Sequence, residues 1–268
     1  MENLIIVRGA GDLATGVIVR LRRSGFKVIA LEIEKPTTIR RTVAFSEAIY
    51  QPQVEVEGIT AVKADSVQEA LILLEDGMVP ILIDAGCAIL NEVKPLALVD
   101  AIIAKKNLGL SKNMAKIVIA LGPGFTVGID AHAVIETNRG HNLGRVLLEG
   151  AAEPNTGVPG LIGGKSAERV LHSPIAGVVK PLAKIGDLVE EGQEVVEIEG
   201  DSKAVMKAPF KGILRGIIRA GLTVPKGMKI GDIDPRCKYE HCFSVSDKAR
   251  AIGGGVLEAV LYFSGMIK

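Results

Sequence analysis

Asn3-Leu4-Ile5-Ile6-Val7-Arg8-Gly9-Ala10-Gly11-Asp12-Leu13-Ala14 is where the reading of this chain begins. Asn3 to Val7 is a short apolar run, Gly9-Ala10-Gly11 interrupts it, and apolar residues then recur at Leu13, Val17, Ile18 and Leu21 with the period of a helix. Strand, tight turn and helix is the context that gives Gly9-x-Gly11-x-x-Ala14 its meaning. Without Cβ atoms at the turn, backbone N–H groups and the positive end of the helix can meet a pyrophosphate. Lys27 to Ile33 follows as a second strand, apolar except for Glu32. Glu32 stands where an acid accepts hydrogen bonds from a ribose. A 2′-phosphate beside it would meet repulsion on the order of 4 kcal/mol at about 4 Å and an effective dielectric of about 20. An NAD-like ligand is therefore expected over an NADP-like one, unless Arg40 or Arg41 turns inward. Asp12 is awkward at such a turn: it repels a diphosphate, caps the helix or binds a cation. A glycine turn that holds no ligand is the alternative.

Beyond this unit, Lys35 to Gly58 is irregular. Ile59 to Ala64 predicts a weak strand, Ser66 caps a helix that stops at Gly77, and Val79 to Ile83 predicts a buried strand ending in Asp84-Ala85-Gly86. Pro95 to Lys105 reads as a helix, with proline early and lysines late. Lys116 to Leu121 is a further strand before Gly122-Pro123-Gly124-Phe125. The turns after these strands are expected to share the carboxyl edge of one sheet, where open α/β proteins bind ligands. Asp130 to Glu136 alternates, with Asp130, His132 and Glu136 on one face, as an edge strand in water or a polar wall of the same crevice. His132, Glu136 and His141 are candidate acids or bases, and Arg139 and His141 candidate anion contacts.

A duplication marks the third quarter. At an offset of 35, Pro174 repeats as Pro209, Gly177 as Gly212, Gly186 as Gly221, Val189 as Val224, Gly192 as Gly227 and Ile198 as Ile233. Each copy is too small to bury its own apolar face, so the two must pack together. The spacing resembles the biotinyl/lipoyl barrel-sandwich fold. That resemblance makes Lys203, in Gly200-Asp201-Ser202-Lys203, the only carrier candidate. The segment is short, and neither covalent biotin nor lipoate is expected. Glu149 to Gly164 reads as a linker or ordered loop. Ser246 caps a last helix, Asp247 to about Tyr262, whose Gly253-Gly254-Gly255 should cost roughly 2–3 kcal/mol against alanine. Close packing on the sheet is the expected reason, and approach to a ligand the alternative.

The expected fold is α/β: a Rossmann-like doubly wound parallel sheet with an inserted all-β barrel-sandwich-hybrid-like module. Residues 1–165 form the nucleotide-binding domain, 166–235 the module, and 236–268 a helix packing back on the first domain. Hydrophobic residues make up 48% of 268, enough for a sizeable core. Lys and Arg (32) nearly balance Asp and Glu (31), which disfavours nucleic acid as the main partner. No apolar stretch approaches the length of a membrane span, and the N-terminal run ends in glycines rather than a cleavage site. Three cysteines are too few for a disulfide framework. A cytoplasmic protein is expected. Gly164-Lys165-Ser166 fails as a P-loop because its first glycine would fall on Pro159. Cys237, His241 and Cys242 lack a zinc spacing, and no metal is expected.

These residues together resemble the selenium-dependent molybdenum hydroxylase system proteins, also called YqeB-like. The resemblance rests on Val7 to Gly16, Glu32, Arg40-Arg41-Thr42-Val43, Gly122-Pro123-Gly124-Phe125, Asp130 to Gly140, Gly231 to Arg236, and Ser246 to Arg250 with its glycines. It implies an accessory factor for maturation or insertion of the cofactor, with a molybdenum hydroxylase or other maturation factors as partners. Because many such hydroxylases carry a cytosine dinucleotide form of molybdopterin, the ligand at Gly9, Gly11, Asp12, Ala14, Glu32, Gly122 and Gly124 is expected to be NAD or a molybdopterin-dinucleotide-like molecule. An NAD-dependent oxidoreductase and a non-catalytic scaffold are the alternatives, and self-association is left open.

Overall fold

Strand β1 (Leu4–Arg8) is buried along its whole length, as expected of a central parallel strand covered on both faces. In the computed structural model, which describes residues 3–266, it leads through α1 (Asp12–Arg23) to β2 (Lys27–Glu32), paired parallel beside it. The sheet continues with β3 (Val54–Val56), β4 (Ile59–Ala64), α2 (Val67–Glu75), β5 (Val79–Ile83), β6 (Ala97–Asp100), β7 (Ile117–Leu121), β8 (Ala133–Ile135) and β9 (Val146–Leu147). Its order is β3-β4-β5-β2-β1-β6-β7-β8-β9, with antiparallel pairing only at the two edges. Alternation along each strand sends Leu4, Ile6, Ile29 and Leu31 to a core shared with Ala70 and Leu74 of α2. The opposite face meets α1 and the last helix, α3 (Asp247–Ser264), which also pack on each other. Both predicted serine caps form: Ser66 accepts from the Glu69 amide and Ser246 from the Ala249 amide.

The predicted helix from Pro95 to Lys105 is a strand instead. Ala97 to Asp100 is buried throughout and lies parallel between β1 and β7. Leu96-Ala97-Leu98-Val99 is a continuous apolar run, which suits a doubly covered strand better than an amphipathic helix. Pro95 precedes the strand rather than opening a helix. The strand expected over Asp130 to Glu136 shrinks to three residues, because Asp130 holds a turn by accepting from Thr126 N and Asn107 Nδ2.

The β unit comprises residues 37–43 and 157–244, and the sheet unit the remainder. The boundaries thus fall at 156/157 and 244/245, not at 165/166 and 235/236. Residues 37–43 belong to the β unit because Arg40 donates to His241 O and Ser244 O, and Arg41 to Ile217 O. Its strands are β10 (Val170–His172), β11 (Gly177–Pro181), β12 (Leu188–Val189), β13 (Glu194–Glu199), β14 (Lys203–Lys207), β15 (Gly212–Ile217), β16 (Thr223–Val224) and β17 (Lys229–Asp234). The offset of 35 carries β12 onto β16 and β13 onto β17. One four-stranded sheet runs β10-β17-β15-β12 and the other β14-β13-β11-β16. Each sheet takes two strands from either half, so the halves interlock over a core of Val179, Val195, Ile198, Leu214, Ile230 and Ile233. Among the described residues no helix is long and apolar enough to cross a membrane.

Candidate functional site

Parallel pairing of β1, β2, β5, β6, β7 and β8 brings their carboxyl ends to one edge. The chain leaves β1 toward β2 on one side, and β6 pairs on the other, so the β1 turn sits where connections diverge. Gly9 has φ +101°, and a Cβ there would lie 3.1 Å from the backbone of Ala101. Its glycine is thus required by backbone conformation and by packing on the segment after β6. The Gly9 amide donates to Leu31 O at 2.7 Å and the Ala10 amide to Glu32 Oε2 at 2.9 Å. Ser46 N and the Thr15 hydroxyl both donate to Ala10 O, and Thr15 Oγ1 accepts from Phe45 N. The turn is therefore clamped from three sides.

What remains unmatched lies one step further on. Gly11 is the N-cap of α1 with φ −66° and ψ −177° and no side-chain cap, a conformation open to any residue. The first intrahelical bond is Thr15 N to Gly11 O. The amides of Gly11, Leu13 and Ala14 have no protein acceptor among the described residues. Gly11, Asp12 and Leu13 are half-buried, while Ala14 is buried. A helix start of this kind presents N–H groups and the positive end of the dipole to whatever occupies the edge.

Glu32 buttresses the turn with both carboxylate oxygens, accepting from Ala10 N and Ile33 N. Burial pushes its carboxyl above the ordinary 4.5, and the N–H donors from Ile33 and Ala10 pull it partly back. A folded state that holds this proton more tightly than the unfolded chain has a stability contribution fully present below pH 4.5 and lost as pH rises through the raised value. A carbon-detected NMR titration is expected to place the Glu32 midpoint above 4.5, and the stability difference between wild type and Glu32→Gln should shrink over that window. A midpoint at or below 4.5 overturns this.

Sequence reasoning missed the pair that holds the edge together. Arg8, at the end of β1, binds Asp100 Oδ2, at the end of β6, at 3.0 Å, with both side chains nearly buried. Its other nitrogens donate to Ala85 O and Leu108 O, so one guanidinium ties down the segments after β5 and β6. Burial raises the Asp100 carboxyl, opposed by the Ile102 amide and by Arg8. The available signal was a lone arginine closing an apolar run. Its partner lay in the segment misread as helix.

The other candidates scatter. A Cβ on Gly122 would meet Thr137 Oγ1 at 2.5 Å, and one on Gly124 the Lys106 backbone at 2.6 Å, so protein atoms already fill the space beside these glycines. Glu136 is buried and accepts from Asn138 N and Glu153 N. His132 precedes β8, at the amino edge, where its Nδ1 accepts from Val118 N at 3.0 Å. It does not join the crevice. His141 is exposed, and Arg139 makes a two-pronged bond to Asp247 at 2.7 and 2.9 Å. In the β unit, Lys203 begins β14 and pairs with Glu197 at 2.7 Å. Among the described residues no group of three or more His, Cys, Asp or Glu is placed to hold a metal ion.

Comparison with known proteins agrees with the β unit as a biotin/lipoyl-like fold. Residues 169–233 match the family described as biotin-requiring enzyme, a match of fold that is silent on attachment. The chain is also similar to the uncharacterized protein YqeB of Escherichia coli K12, with 55% identity over 260 residues, covering 97% of this chain and 48% of that protein. The chain thus spans about half the length of this curated relative. Among solved structures, an aspartoacylase family protein from Mesorhizobium loti aligns over 87% of this chain and 84% of its own, at 12% identity and TM-score 0.30. The product-bound ectoine utilization protein EutE (DoeB) from Ruegeria pomeroyi aligns over 87% and 85%, at 12% identity and TM-score 0.27. Likenesses this low carry no argument about chemistry.

Proposed function

We propose that the sheet unit is a Rossmann-like dinucleotide-binding unit that seats a pyrophosphate on the first turn of α1. In this reading the protein serves the selenium-dependent molybdenum hydroxylase system as an accessory factor, holding NAD or a molybdopterin-dinucleotide-like cofactor for maturation or insertion. A molybdenum hydroxylase or another maturation factor is its partner. The observation that carries the binding part is the set of unmatched amides at Gly11, Leu13 and Ala14. The pathway part rests on the resemblance carried by the motifs quoted above. Three free cysteines, two of them buried, suit a reducing cytoplasm.

Geometry favours binding over catalysis. The candidate acids and bases do not converge: His132 bonds to the amino edge, Glu136 is taken up by two amides, and His141 faces solvent. Gly11→Val tests the site. The backbone at Gly11 is extended, a conformation that a β-branched residue adopts, and the substitution adds bulk at the residue that carries the first of the unmatched amides. Calorimetry with NAD, NADP and cytosine nucleotides should show binding that falls at least about 100-fold in Gly11→Val, equivalent to about 2.7 kcal/mol, with an unchanged melting temperature. Affinity that survives the substitution moves the site elsewhere. Failure of every nucleotide to bind leaves the scaffold reading.

A further inference from the structure

His132, left out of the dinucleotide site, stands at the amino edge of the sheet and lines a hollow of about 390 Å³. Two bonds fix it to β7: its backbone N–H donates to Val118 O at 2.8 Å, and its Nδ1 accepts from Val118 N at 3.0 Å. With Nδ1 an acceptor, the neutral ring carries its proton on Nε2. That N–H has no protein acceptor among the described residues. The imidazole lies 5.9 Å from the ring of Phe263, tilted by 59°, and Phe263 meets Tyr262 edge-on at 5.0 Å. Backbone bonds and an aromatic neighbour thus hold the imidazole in place, and its unused donor is left to the hollow.

The apolar walls are Val127, Leu148, Tyr262 and Phe263, and Lys112 and Asn113 join His132 as the polar groups. Lys112 Nζ donates to Gly128 O, itself part of the lining, which holds the ammonium at the hollow with two further N–H groups to give. No Asp or Glu belongs to the lining. Asp130, two residues before His132, is taken up by Thr126 N and Asn107 Nδ2, and Glu149 and Glu258 are exposed outside it. Donors therefore outnumber acceptors, and the charge is positive. Small-molecule sites of about 300–1,000 Å³ combine apolar walls with a few placed polar groups in this way. An ammonium and an imidazole N–H match the two oxygens of a carboxylate, and a wall of rings favours a planar partner. We propose that this hollow is a binding site for a small aromatic carboxylate, held by Lys112 and the Nε2–H of His132, with its ring against Tyr262, Phe263 and Leu148. The site lies at the sheet edge opposite the first turn of α1, so the proposal does not depend on nucleotide binding.

Titration of the 268-residue chain with 2-naphthoate, followed by calorimetry and by the imidazole nitrogen resonances of His132, tests it. The acid should bind at least tenfold more tightly than its uncharged amide, 2-naphthamide, and should shift the Nε2 resonance of His132. Lys112→Met, at an exposed position, should weaken the acid at least tenfold while leaving the amide and the melting temperature unchanged. His132→Asn keeps an oxygen for Val118 N but removes the second donor, and it should weaken the acid by a similar factor. Equal affinity for acid and amide overturns the proposal, as does an affinity for the acid that survives Lys112→Met in a folded chain. No binding of 2-naphthoate overturns it too. Competition by inorganic phosphate at equal concentration would show an unselective anion seat, and shifts confined to the Gly11 amide and its neighbours would put the acid at the other edge; either result also overturns it.

Discussion

Asp232→Ala is expected to destabilise the β unit by about 3–5 kcal/mol, the cost of breaking a buried ion pair from one side. Asp232 is 3% exposed and stands on β17 between two guanidinium groups. Arg169 binds its Oδ1, and Arg215 lies 3.7 Å from its Oδ2. Arg169 has no other acceptor among the described residues, and its Nε is already buried without one. Arg215 keeps a second carboxylate, Asp234, at 3.8 Å. Removing Asp232 therefore strands one buried positive charge, on Arg169, and leaves the second, on Arg215, to Asp234 alone. Asp232→Asn keeps an acceptor oxygen and the side-chain volume, so it should lose less. The pair Arg169→Met with Asp232→Leu should recover most of the stability, since an apolar replacement avoids desolvating the ions. Because a chain of two units need not unfold in one step, the readout is amide hydrogen exchange of β15 and β17 alongside urea denaturation. A loss below about 1 kcal/mol in Asp232→Ala would mean that the cluster is hydrated and the pair adds little.

The parts of the fold written in local pattern were legible. Asn3 to Val7, the glycine turn and the helix after it form where periodicity places them, because a fully apolar run and a 3.6-residue stripe are properties of neighbouring residues. The duplication was legible for the same reason, as glycines at a fixed offset mark where short strands turn. Two elements were not. Four apolar residues from Leu96 to Val99 are too short for periodicity to tell strand from buried helix. Proline before them and lysines after them pointed the wrong way, since tertiary burial between β1 and β7 decides the matter. His132 and Glu136 alternate in sequence, but only the short β8 between them is strand. His132 consequently stays at the amino edge and Glu136 reaches the carboxyl one. The Arg8 and Asp100 pair links residues 92 apart, and no local signal reports a contact of that separation.

The glycines of α3 separate packing from ligand approach, and Gly255→Ala should be the more damaging of two adjacent substitutions. A Cβ at Gly255 would lie 2.2 Å from Gly144 O and 3.0 Å from Ile135 Cγ2. The carbonyl cannot easily retreat. Gly144 N donates to Glu136 O, and Arg145 O accepts from Glu136 N, so the approach to β9 is pinned to β8. Overpacking of this kind costs about 1–3 kcal/mol, against a gain of at most about 1 kcal/mol from the better helix propensity of alanine. At Gly254 a Cβ meets nothing within 4 Å, so Gly254→Ala keeps only the propensity gain and should stabilise by up to about 1 kcal/mol. The two variants differ by one position and opposite signs, which removes any general effect of adding a methyl group to the helix. Thermal and urea unfolding of both would check the signs. Should Gly255→Ala prove neutral in stability while nucleotide affinity falls, the glycine is kept for a ligand and not for the contact of α3 with Gly144.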